Sequence, residues 1–117
     1  METGNKELIR SVFDKEKIIN EMEKVLTSFL VRVDNLSLTE GQHKAVKNLF
    51  YTISDLERVG DHAENIAELA ENMRKDEISF SKKGFKDLKL ISSETILALE
   101  SALKARELSS TQDAIQE

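Results

Sequence analysis

The sequence predicts an all-α protein, an antiparallel three-helix bundle with long helices. Three observations predict this fold: apolar residues recur at helical spacing in three separate segments, the 117 residues include no proline, and only four are glycine. Charged residues make up 33% of the chain and aromatic residues 5%, a mixture that suits helices better than sheets. We expect one domain over residues 1–117, with helices at about 5–33, 40–75 and 81–110.

The first helix is predicted from an apolar row at three- and four-residue spacing that is interrupted only at Lys15. Further apolar residues widen the row, which indicates contact with two neighbouring helices. The row consists of Leu8, Val12, Ile19, Met22, Leu26, Phe29 and Val33, and it is widened by Ile9, Phe13, Ile18, Val25 and Leu30.

The second helix carries the strongest periodic signal. Two overlapping capping boxes, one beginning at Ser37 and one at Thr39, indicate its start. Its seam of apolar or small residues then alternates in steps of four and three over four heptads, so we expect this seam to face the core. The seam consists of Ala45, Leu49, Thr52, Leu56, Val59, Ala63, Ile66, Ala70 and Met73.

The third helix is predicted to begin after Ser81, which is a candidate N-cap. Its apolar pattern weakens after Ser109, and the polar residues 111–117 are expected to fray. Because the connections are short, consecutive helices should be antiparallel neighbours. The apolar positions are Phe85, Leu88, Ile91, Ile96, Leu99, Leu103 and Leu108.

Composition excludes several classes of function. The net charge of -5 argues against a nucleic-acid partner, because binding to phosphate backbones needs clustered Lys and Arg. The absence of cysteine excludes disulfides and thiolate metal sites. No apolar run approaches the roughly 20 residues that span a bilayer, and the N-terminus has no signal-peptide pattern. These features predict a cytoplasmic protein.

A row of five carboxylates on the second helix is the most informative polar feature. On a helical wheel the row falls within an arc of about 80°, opposite the apolar seam, and no Lys or Arg lies among its members. Neighbouring carboxylates repel one another, and hard cations such as Mg²⁺, Mn²⁺ or Fe³⁺ would neutralise them. The alternative is a solvated surface, or one covered by basic residues of another helix. This acidic row consists of Glu57, Asp61, Glu64, Glu68 and Glu71.

Other candidate chemistry is weaker. His62 is expected to be a structural histidine beside the bundle interface. Glu40 and His43 match one Glu-x-x-His pattern, but a di-iron bundle needs two such patterns and two more Glu, so an enzymatic metal centre is not expected. No Gly-rich phosphate loop or nucleophile elbow occurs, and we expect no enzymatic activity. Gly60 lies within the second helix, where it would allow close approach of another helix or of an ion cluster.

The stretch Ile53-Ser-Asp-Leu-Glu-Arg-Val-Gly-Asp-His-Ala-Glu-Asn-Ile-Ala-Glu68 resembles the signature of the PhoU domain family. That family carries a Glu/Asp-x-x-x-Asp motif, here Glu57-Arg-Val-Gly-Asp61, followed by Asn-Ile-Ala-Glu. The resemblance implies a non-enzymatic regulatory domain for phosphate transport, with a three-helix fold and metal-binding carboxylates at Glu57 and Asp61. A single bundle is similar to the cytosolic domain of sodium/phosphate cotransporter-family proteins.

Two functional hypotheses follow. The first is a regulatory domain that acts on the membrane domain of a phosphate transporter or on another phosphate-signalling protein, either as a separate cytoplasmic protein or as the cytosolic part of a transporter. It would bind a hard cation weakly through Glu57 and Asp61, assisted by Glu64 and Glu68. The second is a metal-free helical interaction or dimerisation module. In either case we expect a homodimer, because one bundle would leave apolar residues partly exposed: Phe50, Ile53, Phe80 and Phe85.

Overall fold

The computed structural model describes the backbone of residues 5–116 and the side chains of residues 5–109. Three α-helices account for nearly all of this range: α1 (Lys6–Asp34), α2 (Glu40–Lys75) and α3 (Lys82–Gln116). No strand occurs between residues 5 and 116. The all-α fold with three long helices is therefore confirmed, and α3 continues beyond its predicted end near residue 110.

Side-chain caps mark where each helix begins. The Asn5 side chain accepts hydrogen bonds from the backbone N–H groups of Glu7 and Leu8 at the start of α1. At α2, Gln42 N–H donates to Thr39 Oγ1 at 3.2 Å while Thr39 N–H donates to Gln42 Oε1 at 2.9 Å. Of the two capping boxes in the sequence, the structure therefore uses the one at Thr39. Gly84 N–H donates to Ser81 Oγ at 3.1 Å, which confirms the predicted cap of α3.

The end of α2 is closed by a left-handed residue. Glu77 has a φ of 54°, and Ile78 N–H donates to the carbonyl oxygen of Met73 at 2.9 Å. This bond spans five residues, as in a Schellman ending, where glycine usually occupies the left-handed position. The turn therefore places a glutamate in a conformation that costs a residue with a Cβ atom about 1 kcal/mol or more.

Contacts within the chain divide it into two units between Ile78 and Ser79. The first unit contains α1 and α2, which pack against each other as an antiparallel hairpin. Near the connecting loop, His43 Nδ1 lies 2.9 Å from Asp34 Oδ1. Farther along, Ile19 of α1 lies opposite Gly60 of α2. The buried apolar residues of the hairpin are Leu30, Val46 and Ala67.

The face of α2 that meets α1 lies one residue beyond the predicted seam. Along this face, buried or half-buried residues alternate in steps of four and three: Val46, Phe50, Ile53, Glu57, Gly60, Glu64, Ala67 and Glu71. Leu56, Val59 and Ile66 of the predicted seam are instead 44%, 42% and 64% exposed. The prediction that the seam would be the buried face, with the acidic row turned away from it, is therefore wrong for the α1–α2 pair.

The same displacement occurs on α1. Its α2-facing row contains Ile9, Glu16, Glu23 and Leu30, which are buried or half-buried, whereas Leu8, Met22 and Phe29 are exposed. A step of one residue turns a side chain by 100° around the helix. Since the helices are antiparallel, the same step on both turns the two predicted apolar rows toward one side of the hairpin. In the middle of the hairpin, the contact between α1 and α2 is therefore mostly polar, and one side of the hairpin exposes apolar residues.

The second unit contains α3. Within it, Phe85 and Leu88 are half-buried, whereas Leu90, Ile91 and Leu97 are exposed. The hydroxyl groups of Ser93 and Thr95 donate to carbonyl oxygens of the same helix, at 2.8 Å each. In the part of the chain that the structure describes, no helix is both long enough and apolar enough to cross a membrane.

Candidate metal centre

Three carboxylates from two helices converge in the middle of the α1–α2 hairpin. One carboxylate oxygen each from Glu16, Asp61 and Glu64 lies within 4.8 Å of the other two. Glu16 is buried, with 8% of its surface exposed, while Glu64 is half-buried and Asp61 is exposed. We call these three residues the acidic cluster. It is buried on the α1 side and open to solvent on the α2 side.

Gly60 brings the two helices close together beside this cluster. A Cβ atom added at Gly60 would lie 3.3 Å from Ile19 Cδ1 and 3.4 Å from Ile19 Cγ2, tighter than ordinary van der Waals contact. The missing side chain therefore leaves room for Ile19, one turn from Glu16. This confirms the expectation that Gly60 allows close approach of another helix, and it explains how Glu16 reaches the carboxylates of α2.

Glu57 and Glu23 extend the negative charge along the contact. Partial burial raises the pKa of Glu57 above 4.5, and the carboxylates of Asp61, Glu23 and Glu16 raise it further, as does a hydrogen bond with Asp61. Each of these effects disfavours the ionised form. Glu57 thus belongs electrostatically to the cluster, although it is outside the group of three converging oxygens.

The pKa of Glu64 is raised in the same direction. Partial burial is the largest cause, followed by the carboxylates of Glu16, Glu68 and Asp61. The two helices together place like charges where they repel one another. An added proton or a bound cation would relieve this repulsion.

No Lys, Arg or His of the described part of the hairpin forms an ion pair with the acidic cluster. The ion pairs within α1, α2 and their loop join His43 to Asp34, Arg58 to Asp55 and Lys75 to Glu71, and none involves a cluster residue. The side chains that donate hydrogen bonds to Glu16 and Glu23 are neutral. Asn20 Nδ2 donates to Glu16 Oε1, and Thr27 Oγ1 donates to Glu23 Oε1 at 3.3 Å. The donor set is entirely carboxylate oxygen, which suits a hard cation such as Mg²⁺, Ca²⁺ or Mn²⁺.

Most of the hairpin lies in the part of the chain that matches a known protein family. The model of the PhoU domain family matches residues 1–70, more than half of the chain. The chain belongs to the PhoU domain family. PhoU domains are generally regulatory and not enzymatic. No curated protein matches the chain, and no solved structure does.

The part of the chain that matches the PhoU family includes α1 and most of α2, and so the entire acidic cluster. Of the four predicted metal ligands, Asp61 and Glu64 converge with Glu16, whereas Glu57 and Glu68 lie beside the group. Glu71, the last member of the acidic row, pairs with Lys75 at 3.6 Å. The assignment of metal ligands to this PhoU domain stays a prediction.

Glu16 and Glu23 were missed from the sequence. Together with Ile9 and Leu30 they form a row in which successive residues are seven positions apart. Each member of this row comes one position after a member of the predicted apolar row or after Lys15, where that row is interrupted. The interruption of that apolar row at Lys15 was the available signal. If the row that contains Glu16 and Glu23 had been chosen as the face toward α2, both carboxylates would have been expected opposite the acidic row of α2.

The two histidines lie outside the cluster. His62 is exposed, so the expectation of a structural histidine at the helix interface is wrong for the described hairpin. Its position one residue beyond Asp61 turns it away from α1. His43 bonds to Asp34 near the loop instead of acting with Glu40. The single Glu-x-x-His pattern therefore contributes nothing to the acidic cluster.

Proposed function

We propose that this PhoU domain regulates phosphate transport and that a hard metal cation bound at the acidic cluster contributes to that regulation. Membership in the PhoU family supports the regulatory role. The metal is inferred from the carboxylates of Glu16, Asp61 and Glu64 and from the electrostatics around them. Glu57 and Glu68 would assist, either directly or through bound water.

The observation that carries the metal proposal is the buried carboxylate of Glu16. A buried ionised carboxylate is strongly unfavourable unless it is paired with a positive charge or well hydrogen-bonded. Here the amide of Asn20 donates one hydrogen bond, but the nearest charged groups of α2 are also acidic. A cation between Glu16, Asp61 and Glu64 would reverse this repulsion.

The coordination geometry favours weak, exchangeable binding. Mg²⁺ needs six oxygen ligands and Ca²⁺ six to eight, and three carboxylates supply only part of either set. Because Asp61 is exposed, water can complete the coordination from the open side. A site of this kind suits a regulator that responds to cation concentration.

The regulated partner in this proposal is the membrane domain of a phosphate transporter, or another phosphate-signalling protein, met on the cytoplasmic side. PhoU family membership and the exposed apolar side of the hairpin support this choice of partner. The test of regulation is phosphate uptake in cells of the source organism with and without the chain. We expect uptake to lose its dependence on external phosphate in the deletion strain, and unchanged dependence would contradict the regulatory role.

A metal-free helical interaction module is the second candidate. The exposed apolar side of the hairpin favours it, since residues such as Leu56, Met22 and Ile66 line one side without cover from α1 or α2. Neighbouring exposed apolar residues on one side of a protein can mark an interface with another protein. A second copy of the chain could occupy it, giving the predicted homodimer.

Thermal melting separates the two candidates. A ligand that binds only the folded state raises the melting temperature, so Mn²⁺ or Mg²⁺ should stabilise the wild-type protein. The variant Glu16→Gln/Glu64→Gln should lose this response. The control variant Asp14→Asn/Glu21→Gln removes two exposed carboxylates from another face of α1 and should keep it. No metal response in the wild type would favour the metal-free module, and equal metal responses in both variants would show that the acidic cluster is not the site.

A further inference from the structure

A second charged surface occurs on α3. Residues 82–89 contain four lysines and one aspartate, so this segment carries a charge of +3 in a chain whose net charge is -5. On a helical wheel the lysines share an arc of about 120° with three later residues, and no Asp or Glu falls in that arc between residues 82 and 97. We call this surface the lysine face: Lys82, Lys83, Lys86, Lys89, Leu90, Ser93 and Leu97.

The lysines of the lysine face are exposed and, among the described residues, do not form ion pairs with nearby carboxylates. The other side chains of this face are exposed as well. The first turn of α3 contains no acidic residue, so lysines stand at the helix end where the dipole is already positive. This placement disfavours the helix and concentrates positive potential on one exposed surface.

The residue types on the lysine face favour a lipid surface over a soluble anion. Lysine lacks the planar fork with which arginine recognises individual phosphates or carboxylates, but it contributes fully to diffuse attraction by an anionic bilayer. Leu90 and Leu97 are 64% and 56% exposed within the same arc. A small soluble anion would leave these leucines in water, whereas the headgroup region of a membrane would bury them.

We propose that the lysine face binds the surface of an anionic phospholipid membrane. In this arrangement α3 lies along the bilayer, its four lysines contact the negative headgroups, and Leu90 and Leu97 enter the interface. The hydroxyl of Ser93 donates to the carbonyl oxygen of Leu90, so its polar hydrogen is already bonded within the helix. The inference concerns α3 alone and does not depend on metal binding in the hairpin.

The test is co-sedimentation of the full chain with vesicles. Phosphatidylcholine vesicles containing phosphatidylglycerol should bind the protein, and pure phosphatidylcholine vesicles should not. Each lysine near an anionic surface contributes about fivefold to partitioning, so replacing all four with glutamine should lower it several hundred-fold. The variant Leu90→Gln/Leu97→Gln should lower partitioning about tenfold or more, because it removes the buried apolar groups.

A matched variant distinguishes position from net charge. Replacing Lys15, Lys17, Lys44 and Lys47 with glutamine changes the net charge equally, on exposed positions of α1 and α2, and should leave vesicle binding within about threefold of the wild type. Equal losses in the two lysine variants would overturn the proposal. Failure to bind phosphatidylglycerol vesicles together with binding to soluble polyglutamate would also overturn it, in favour of an acidic protein partner. Circular dichroism verifies that each variant remains helical.

Discussion

Two carboxyl groups of the hairpin, those of Glu57 and Glu64, have raised pKa values and so bind a proton more tightly than a free carboxyl group does. Burial raises the pKa of both Glu57 and Glu64, and neighbouring carboxylates raise it further. An acid whose pKa is higher in the folded than in the unfolded state binds more protons when folded. Stability contributed by these two residues therefore falls as pH rises through the range between 4.5 and their raised values.

This sign gives a pH prediction at the residue scale. In metal-free buffer, lowering the pH from neutral into that range should increase the contribution of Glu57 and Glu64 to the free energy of unfolding. The variant Glu57→Gln/Glu64→Gln should have a larger free energy of unfolding than the wild type at pH 7. On mild acidification its free energy of unfolding should increase less than that of the wild type. Urea unfolding at a series of pH values measures both effects. An identical pH dependence in the two proteins would contradict the assignment.

Glu77 supports a second prediction at this scale. Its φ of 54° lies in the left-handed region, where glycine carries no Cβ penalty. Glu77→Gly should stabilise the end of α2 by about 1 kcal/mol, and Glu77→Val should destabilise it by at least as much. Denaturant unfolding measures both changes. Destabilisation by glycine would show that the glutamate side chain contributes more than the turn geometry indicates.

At the scale of whole elements, the α1–α2 contact depends on Gly60. Replacing glycine with alanine within a helix gains up to about 1 kcal/mol, but a Cβ atom here would lie 3.3 Å from Ile19. We expect Gly60→Ala to change stability by less than about 1 kcal/mol, since Ile19 can shift slightly. Gly60→Leu should cost about 2 kcal/mol or more by separating the helices.

The substitution Gly60→Leu also tests whether helix packing positions the acidic cluster. If Gly60→Leu separates the helices, Glu16 moves away from Asp61 and Glu64, and the melting response to Mn²⁺ should decrease. Gly60→Ala is the matched control and should keep that response. Retention of a full metal response by a destabilised Gly60→Leu protein would show that α1 contributes no ligand.

Periodicity predicted the number and type of elements well because each helix is long and its breakers are few. It also located Asp61 and Glu64, since both lie on α2 at spacings that a helical wheel can represent. It could not choose between two apolar rows one residue apart on each helix. The face that contacts α1 contains Gly60, whose missing side chain leaves room for Ile19, and the buried Ala67, whereas the larger seam residues Leu56, Val59 and Ile66 are exposed.

The choice between these two rows on α1 also explains why periodicity did not identify Glu16. A wheel of one helix carries no information about which residues a neighbouring helix brings to the same place. The partner of the acidic row depends on the register between α1 and α2, which the loop at residues 35–39 and the Ile19–Gly60 contact determine together. The interruption of the apolar row at Lys15 indicates the alternative row in the sequence, and the structure shows that this row faces α2.

At the scale of the whole molecule, the exposed apolar side of the hairpin predicts self-association. Two rows with residues such as Met22, Phe29 and Ile66 remain accessible in the first unit. We expect a dimer to predominate at about 100 μM, where an interface of micromolar affinity would be largely occupied. Sedimentation velocity tests this, with Leu56→Lys/Ile66→Lys as the disrupting variant. A monomer at that concentration would contradict self-association.

We expect α1 and α2 together to form one cation site. Mn²⁺ broadens amide resonances of nearby residues, so a titration followed by ¹H–¹⁵N correlation spectra locates the ion directly. We predict that the amides around Glu16, Asp61 and Glu64 lose intensity first, in the wild type and in Asp14→Asn/Glu21→Gln, but not in Glu16→Gln/Glu64→Gln. Broadening spread evenly over exposed carboxylates, or unchanged by the Glu16→Gln/Glu64→Gln substitutions, would contradict this expectation.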